Sequence, residues 1–141
     1  METGFRMTIG DDIGEVAKVK AAFAEFADAQ ALPDAIRRGM KVVLDELLTN
    51  TIRYGFAEQE GGEVTIDVEL RQGRLSVTLT DDGQPFNPLE MAAPDTELPV
   101  ETREIGGLGI LLVRKMMDEV SYQRRADRNV VILAKRLERG S

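Results

Sequence analysis

Three short stretches carry residues whose types and spacing could do chemistry. The first is Asp45-Glu46-Leu47-Leu48-Thr49-Asn50. On a helix, Glu46 and Asn50 are four apart and project from the same face. At about 100° per residue, Asn50 falls about 40° from Glu46. The apolar stripe of Ile36, Met40, Val43, Leu44, Leu47 and Leu48 spans roughly 60° to 200° on that wheel. The pair therefore borders the buried face, where a cleft between helix and sheet would open. A carboxylate there can act as a general base. An amide oxygen there can ligate a hard cation such as Mg²⁺. Taken alone, both residues also fit an ordinary solvated border of the stripe.

The second stretch is Asp81-Asp82-Gly83-Gln84-Pro85-Phe86, at the end of an alternating segment. Aspartate and glycine after a strand commonly make a turn. The alternative is that one carboxylate accepts a hydrogen bond from a ligand amine, such as the adenine amino group, while glycine lets a ring approach the backbone. The third is Gly106-Gly107-Leu108-Gly109 at the start of a helical pattern. Unpaired N–H groups and the positive dipole end at a helix N-terminus suit phosphate. A flexible hinge would also explain the glycines. No Gly-x-x-x-x-Gly-Lys-Ser/Thr loop and no Gly-x-Gly-x-x-Gly occurs, so the common phosphate and dinucleotide fingerprints are absent.

The elements that must position these stretches follow from hydrophobic periodicity. Phe5–Ile9 alternates and reads as a strand. Asp11 and Asp12 offer N-caps for a first helix reaching about Gln30. Pro33 suits the first turn of a second helix that ends near Gly55. Val64, Ile66, Val68 and Leu70, then Leu75, Val77 and Leu79, form a hairpin about a Gln72–Gly73 turn. Residues 84–105 lack a period and hold Pro85, Pro88, Pro94 and Pro99, four of the five prolines. Long irregular segments in small domains are often functional, so these residues are expected to form a mobile lid. A third helix is expected from about Leu108 to Asp118. Strands Val120–Arg124 and Asn129–Leu137 close the chain around an Asp127–Arg128 turn. Runs of adjacent strands argue for an α+β sandwich with helices on one face of a mostly antiparallel, mixed sheet.

Bulk properties narrow the function. A chain of 141 residues suggests a single domain, spanning 1–141. Eighteen basic and 25 acidic residues give a net charge of −7, which disfavours direct nucleic-acid or anionic-membrane binding. With no cysteine and no histidine, thiol nucleophiles, zinc–thiolate sites and a Ser–His–Asp triad are excluded. No apolar run reaches about 18 residues, and the N-terminus lacks a signal-peptide pattern. A cytoplasmic location is expected.

The order of the three stretches is more specific than any one of them. A Glu-x-x-x-Asn helix precedes a strand ending in Asp-x-Gly, then a proline-rich segment, then Gly-Leu-Gly at a helix start. This resembles the Bergerat ATP-binding superfamily. The nearer resemblance, over Val43–Phe56, Thr80–Pro88 and Gly106–Tyr122, is to its small anti-sigma-factor serine kinases. The resemblance implies ATP and Mg²⁺ as ligands, with Glu46 as the catalytic base and Asn50 as the metal ligand. It also implies Asp81 as the adenine-reading residue with Gly83 beside it, and Gly107, Leu108 and Gly109 on the phosphate side. Arg103 could reach a phosphate. The implied partners are an anti-anti-sigma protein of the STAS type, as phosphoryl acceptor, and a sigma factor; a homodimer is allowed.

Some positions depart from the family pattern. Tyr54 and Leu111 stand where histidines are frequent. Val130 and Val131 stand where a threonine often supports the adenine, which leaves room for an alternative: a module that binds ATP and switches partners without transferring phosphate. A histidine-kinase catalytic domain fits less well, because no histidine is present to be phosphorylated in cis.

Overall fold

The computed structural model describes residues 3–56, 61–90 and 106–137. Strand β1 (Thr3–Ile9) leads through a 3-10 turn at Ile13–Glu15 into helix α1 (Val16–Ala29). Helix α2 (Asp34–Asn50) runs on into a π-helical turn at Thr51–Gly55. The hairpin of β2 (Val64–Arg71) and β3 (Arg74–Asp81) follows, then a 3-10 turn at Pro88–Glu90. Helix α3 (Gly106–Met116) leads to a second hairpin, β4 (Glu119–Arg125) and β5 (Arg128–Arg136).

Local chemistry explains the boundaries. Asp12 caps the 3-10 turn by accepting from the Gly14 N–H. Pro33 sits at the N-cap of α2 with extended backbone, one residue before the helix rather than inside it. The β2–β3 turn has positive φ at both Gln72 and Gly73, the twist that a two-residue hairpin needs. The β4–β5 turn uses Ala126 and Asp127, both at positive φ, one residue earlier than the expected Asp127–Arg128. Alanine gives no turn signal, which accounts for the shift. Helix α3 starts two residues before Leu108, so Gly107, Leu108 and Gly109 all lie in its first turn.

The sheet order is β1-β2-β3-β5-β4. Every strand pair among the described residues is antiparallel, in keeping with the mostly antiparallel sheet expected. The reason is topological. β3, α3 and β4 form a crossover that would make β3 and β4 parallel neighbours, but β5 inserts between them and pairs antiparallel with both.

One face of the sheet is apolar and packs under the helices. Ile66, Val68, Val77, Leu79, Val131 and Leu133 from the strands meet Phe23, Met40, Val43, Leu44, Leu47 and Leu48 in one core. Alternation along each strand places Thr65, Asp67, Ser76 and Thr78 on the other face. The registers Val64↔Asp81 and Asp81↔Asn129 then put one polar row at the end of the apolar face. That row, next to the C-terminal end of α2, is where the candidate site lies.

Candidate functional site

Helix α2 presents Asn50 buried and Glu46 half-buried, as the wheel requires. Asn50 Nδ2 donates to Glu46 Oε1 at 3.4 Å, which leaves the Asn50 carbonyl oxygen for another partner. Burial raises the Glu46 pKa above the usual carboxylate range. The hydrogen bond from Asn50 opposes this, the charge of Asp45 adds to it and that of Arg53 opposes it. A carboxylate moved toward neutral pH is better matched to taking a proton. After Asn50 the helix widens into its π turn, a feature common at functional sites.

The second half of the site is built on β3. Asp81 is 4% exposed, yet it is an acid at the edge of an apolar face. Its Oδ1 accepts from Asn129 Nδ2 at 2.9 Å and from the Gly83 backbone N–H at 2.9 Å. No described residue donates to its Oδ2, which remains able to accept from a ligand amine. Burial raises the Asp81 pKa; the bonds from Asn129 and Gly83 lower it, Asp82 raises it and Arg124 lowers it.

Gly83 has a reason of its own to be glycine. A Cβ there would lie 2.6 Å from the Gly55 carbonyl oxygen and 2.9 Å from the Phe56 ring. Its lack of a side chain lets the chain leaving β3 pass under the π turn of α2. Two further bonds close this junction: Gln84 N–H donates to Gly55 O at 3.1 Å, and Gln84 Nε2 to Tyr54 O at 3.0 Å. The Tyr54 and Phe86 rings stand 6.0 Å apart across it.

Residues 84–90, the start of the expected lid, form a strap tied to the sheet and to α3. Phe86 N–H donates to Asn129 Oδ1 at 3.2 Å, and Arg114 of α3 donates to Leu89 O at 2.9 Å. Pro88 and Leu89 are buried. The remainder of the expected lid, 91–105 with Arg103, lies outside the described residues. The glycines expected to face phosphate are placed only as part of the α3 N-terminal turn.

One residue of the candidate site carries no signal in the sequence pattern. The position opposite Asp81 on β5 is Asn129, not Val130 or Val131. Val131 pairs with Leu79 in the core, and Val130 pairs with Thr80 on the other face. The polar residue that pairs with Asp81 is therefore a fully buried asparagine. In the sequence it is a lone amide heading the apolar run Val130–Ala134, one hairpin register away from Asp81. Of the other departures, Leu111 is 50% exposed and Tyr54 39%.

The donor set fits Mg²⁺ and a nucleotide in a particular way. Asn50 offers one hard oxygen, and no group of three or more Asp, Glu, His or Cys gathers among the described residues. Mg²⁺ suits such a place, because it takes few protein ligands and fills its shell with phosphate and water.

An open antiparallel sheet with helices on one face, a Glu–Asn pair on the second helix and a buried aspartate on the third strand define a two-layer α+β fold of the Bergerat type. The chain belongs to the histidine kinase-like ATPase domain family, whose profile matches residues 10–135. It is similar to serine-protein kinase RsbW of Listeria monocytogenes serovar 1/2a, 31% identical over 85 residues, covering 57% of this chain and 54% of that protein. Serine-protein kinase RsbW of Bacillus subtilis (strain 168) is 30% identical over 88 residues, covering 60% and 55%. That of Bacillus mycoides (strain KBAB4) is 28% identical over 109 residues, covering 74% and 68%. In the first of these matches the chain spans about half the length of its relative. No helix among the described residues is long and apolar enough to cross a membrane.

Proposed function

We propose that this chain is a single-domain, Mg²⁺-dependent serine/threonine protein kinase that also acts as an anti-sigma factor. In this reading it phosphorylates a STAS-type anti-anti-sigma protein and sequesters a sigma factor in the cytoplasm, with a homodimer as an allowed assembly. Support comes from the family match, the similarity to serine-protein kinases and, above all, from the Glu46–Asn50 pair of α2 and the buried Asp81 of β3, on elements joined by the bond from Gln84 N–H to Gly55 O.

The roles divide by chemistry. Asp81 Oδ2 accepts the adenine amine, and the Gly83 N–H holds Asp81 Oδ1 beside it. The N-terminal turn of α3, with Gly107, Leu108 and Gly109, offers backbone N–H groups to phosphate. Asn50 Oδ1 would hold Mg²⁺, which neutralises phosphate charge when bound. Glu46 accepts the proton of the acceptor hydroxyl. The serine oxygen then bonds to the γ-phosphorus as the bond from that phosphorus to the β–γ bridging oxygen breaks, and ADP leaves with that oxygen.

The module reading drew on the missing threonine near the adenine. Asn129, which bonds Asp81 across the β3–β5 register, supplies a polar group next to the place that reading was concerned with, which speaks for nucleotide binding at Asp81 without deciding between the two readings. The test is single-turnover transfer from labelled ATP to the anti-anti-sigma proteins encoded beside the gene. Glu46→Gln keeps shape but cannot act as the base. It is expected to slow transfer by about 10²- to 10⁴-fold while ATP affinity holds. Equal rates would remove Glu46 from the chemistry. Tight ATP and sigma-factor binding with no transfer by the wild type would favour the non-catalytic module.

A further inference from the structure

Asn129 is buried to 0% exposure, and its side-chain amide is fully engaged. Both amide hydrogens are used: Nδ2 donates to Asp81 Oδ1 at 2.9 Å and to the Gln84 carbonyl at 2.8 Å. Its Oδ1 accepts from the Phe86 N–H at 3.2 Å, from Arg124 Nη1 at 3.2 Å and from the Tyr122 hydroxyl. Arg124 Nη1 also donates to Gly83 O at 2.8 Å. A primary amide has two donors and an oxygen with two lone pairs, so no capacity is left for a ligand. Asn129 therefore acts on a ligand only through what it holds.

What it holds is the orientation of Asp81 and the root of the strap. With Oδ1 taken by Asn129 and Gly83, the carboxylate cannot turn without breaking two bonds. Donation from Asn129 to Oδ1 also favours the ionised carboxylate, so Oδ2 is presented as an acceptor. We propose that Asn129 is the positioning residue that sets nucleobase choice. It fixes Asp81 as an acceptor for the 6-amino group of adenine against the 6-carbonyl of guanine, and it locks that acceptor to the Gln84–Phe86 strap. This rests on the ATP-binding reading above and goes beyond it by naming what enforces the base preference.

The chemistry gives a distinctive failure. Asn129→Asp keeps the shape and the acceptor oxygens but loses both donors. It also sets a second carboxylate against Asp81 in a buried place. Two such groups cannot both ionise readily, so one holds a proton. A protonated carboxyl can donate, which suits a guanine carbonyl. Loss of a hydrogen bond to a charged group corresponds to roughly a 10-fold or larger change in binding.

The test measures ATP and GTP affinity by calorimetry on the full chain, with thermal unfolding of each variant. The wild type is expected to prefer ATP. Asn129→Asp should lower the ATP-to-GTP preference at least ~10-fold. Tyr122→Phe, which removes one bond to Asn129 but leaves the Asn129–Asp81 bond, should lower the preference by less than Asn129→Asp does. In an Asp81→Ala background, Asn129→Asp should cause no further loss, because coupled residues are not additive. If Asn129→Asp does not fold, Asn129→Ser, which adds no charge and cannot reach both Asp81 and Gln84, is read the same way. A wild-type preference kept by the variant that folds overturns the inference and leaves the proposed function standing. Equal losses with and without Asp81 also overturn it. A wild type that binds no ATP overturns the function and the inference together.

Discussion

The two halves of the site are built to different standards of rigidity. At the end of β3, Asp81 is held through Asn129 and Gly83, and Asn129 is in turn held by Tyr122, Arg124 and the backbone of Gln84 and Phe86. At the end of α2, Glu46 is half-buried, and the one side-chain hydrogen bond between it and Asn50 is long, at 3.4 Å. The difference matches two tasks. Reading a base needs an acceptor that does not move. Taking a proton from one partner's hydroxyl and sharing space with a metal needs groups that can adjust, and such groups often tighten only when the reacting complex forms.

Variants at the two halves should therefore fail in different ways. The largest effect outside the chemical step is expected at Asp81. Asp81→Asn should weaken ATP by roughly tenfold to a hundredfold, because Oδ2 becomes an amine where an acceptor is required. The same variant should be no less stable than the wild type. The amide oxygen can still accept from Asn129 and Gly83. The sign of the pKa shift also favours it: a raised folded-state pKa means that protonation stabilises the fold, and this stability is lost as pH rises through the folded value. An amide avoids that loss at neutral pH. Calorimetry and thermal melts on one sample check both halves of the expectation. A variant that melts lower would show that the Asp81 charge supports the fold.

Gly83→Ala should come next. Its Cβ would press on the Gly55 carbonyl, which is backbone and cannot swing aside. Overpacking of this kind costs about 1–3 kcal/mol, read by denaturant unfolding. At the α2 half the expected effect is on pH rather than on stability. The raised Glu46 pKa predicts that transfer falls as pH drops, with the limb at a higher pH than an unperturbed glutamate would give. A pH–rate profile of the chemical step measures it. The smallest effect is expected for Tyr122→Phe, about 1 kcal/mol of stability for one lost hydrogen bond.

The two regions were also unequally legible in the sequence. Glu46 and Asn50 could be placed because a helix converts spacing into a face by local geometry alone. The β2–β3 hairpin was equally plain, since Gln72–Gly73 marks the turn and strict alternation marks the faces. Asn129 was not legible, because its meaning depends on the register between β3 and β5, whose strands are far apart in sequence. The Ala126–Asp127 turn hid that register behind an alanine at positive φ. The strap at 84–90 was read as loose for a related reason. Its order comes from side chains elsewhere, Asn129 and Arg114, and not from any period of its own.

If one Mg²⁺–ATP bridges both halves, ATP calorimetry with and without Mg²⁺ shows it most directly. Wild type, Asn50→Ala and Asp81→Asn are compared. Asn50→Ala is expected to lose the gain in affinity that Mg²⁺ brings while keeping the metal-free binding. Asp81→Asn is expected to lose affinity equally in both conditions and to keep the Mg²⁺ gain. If both variants bind ATP as the wild type does, with the same response to Mg²⁺, the nucleotide does not sit between these residues.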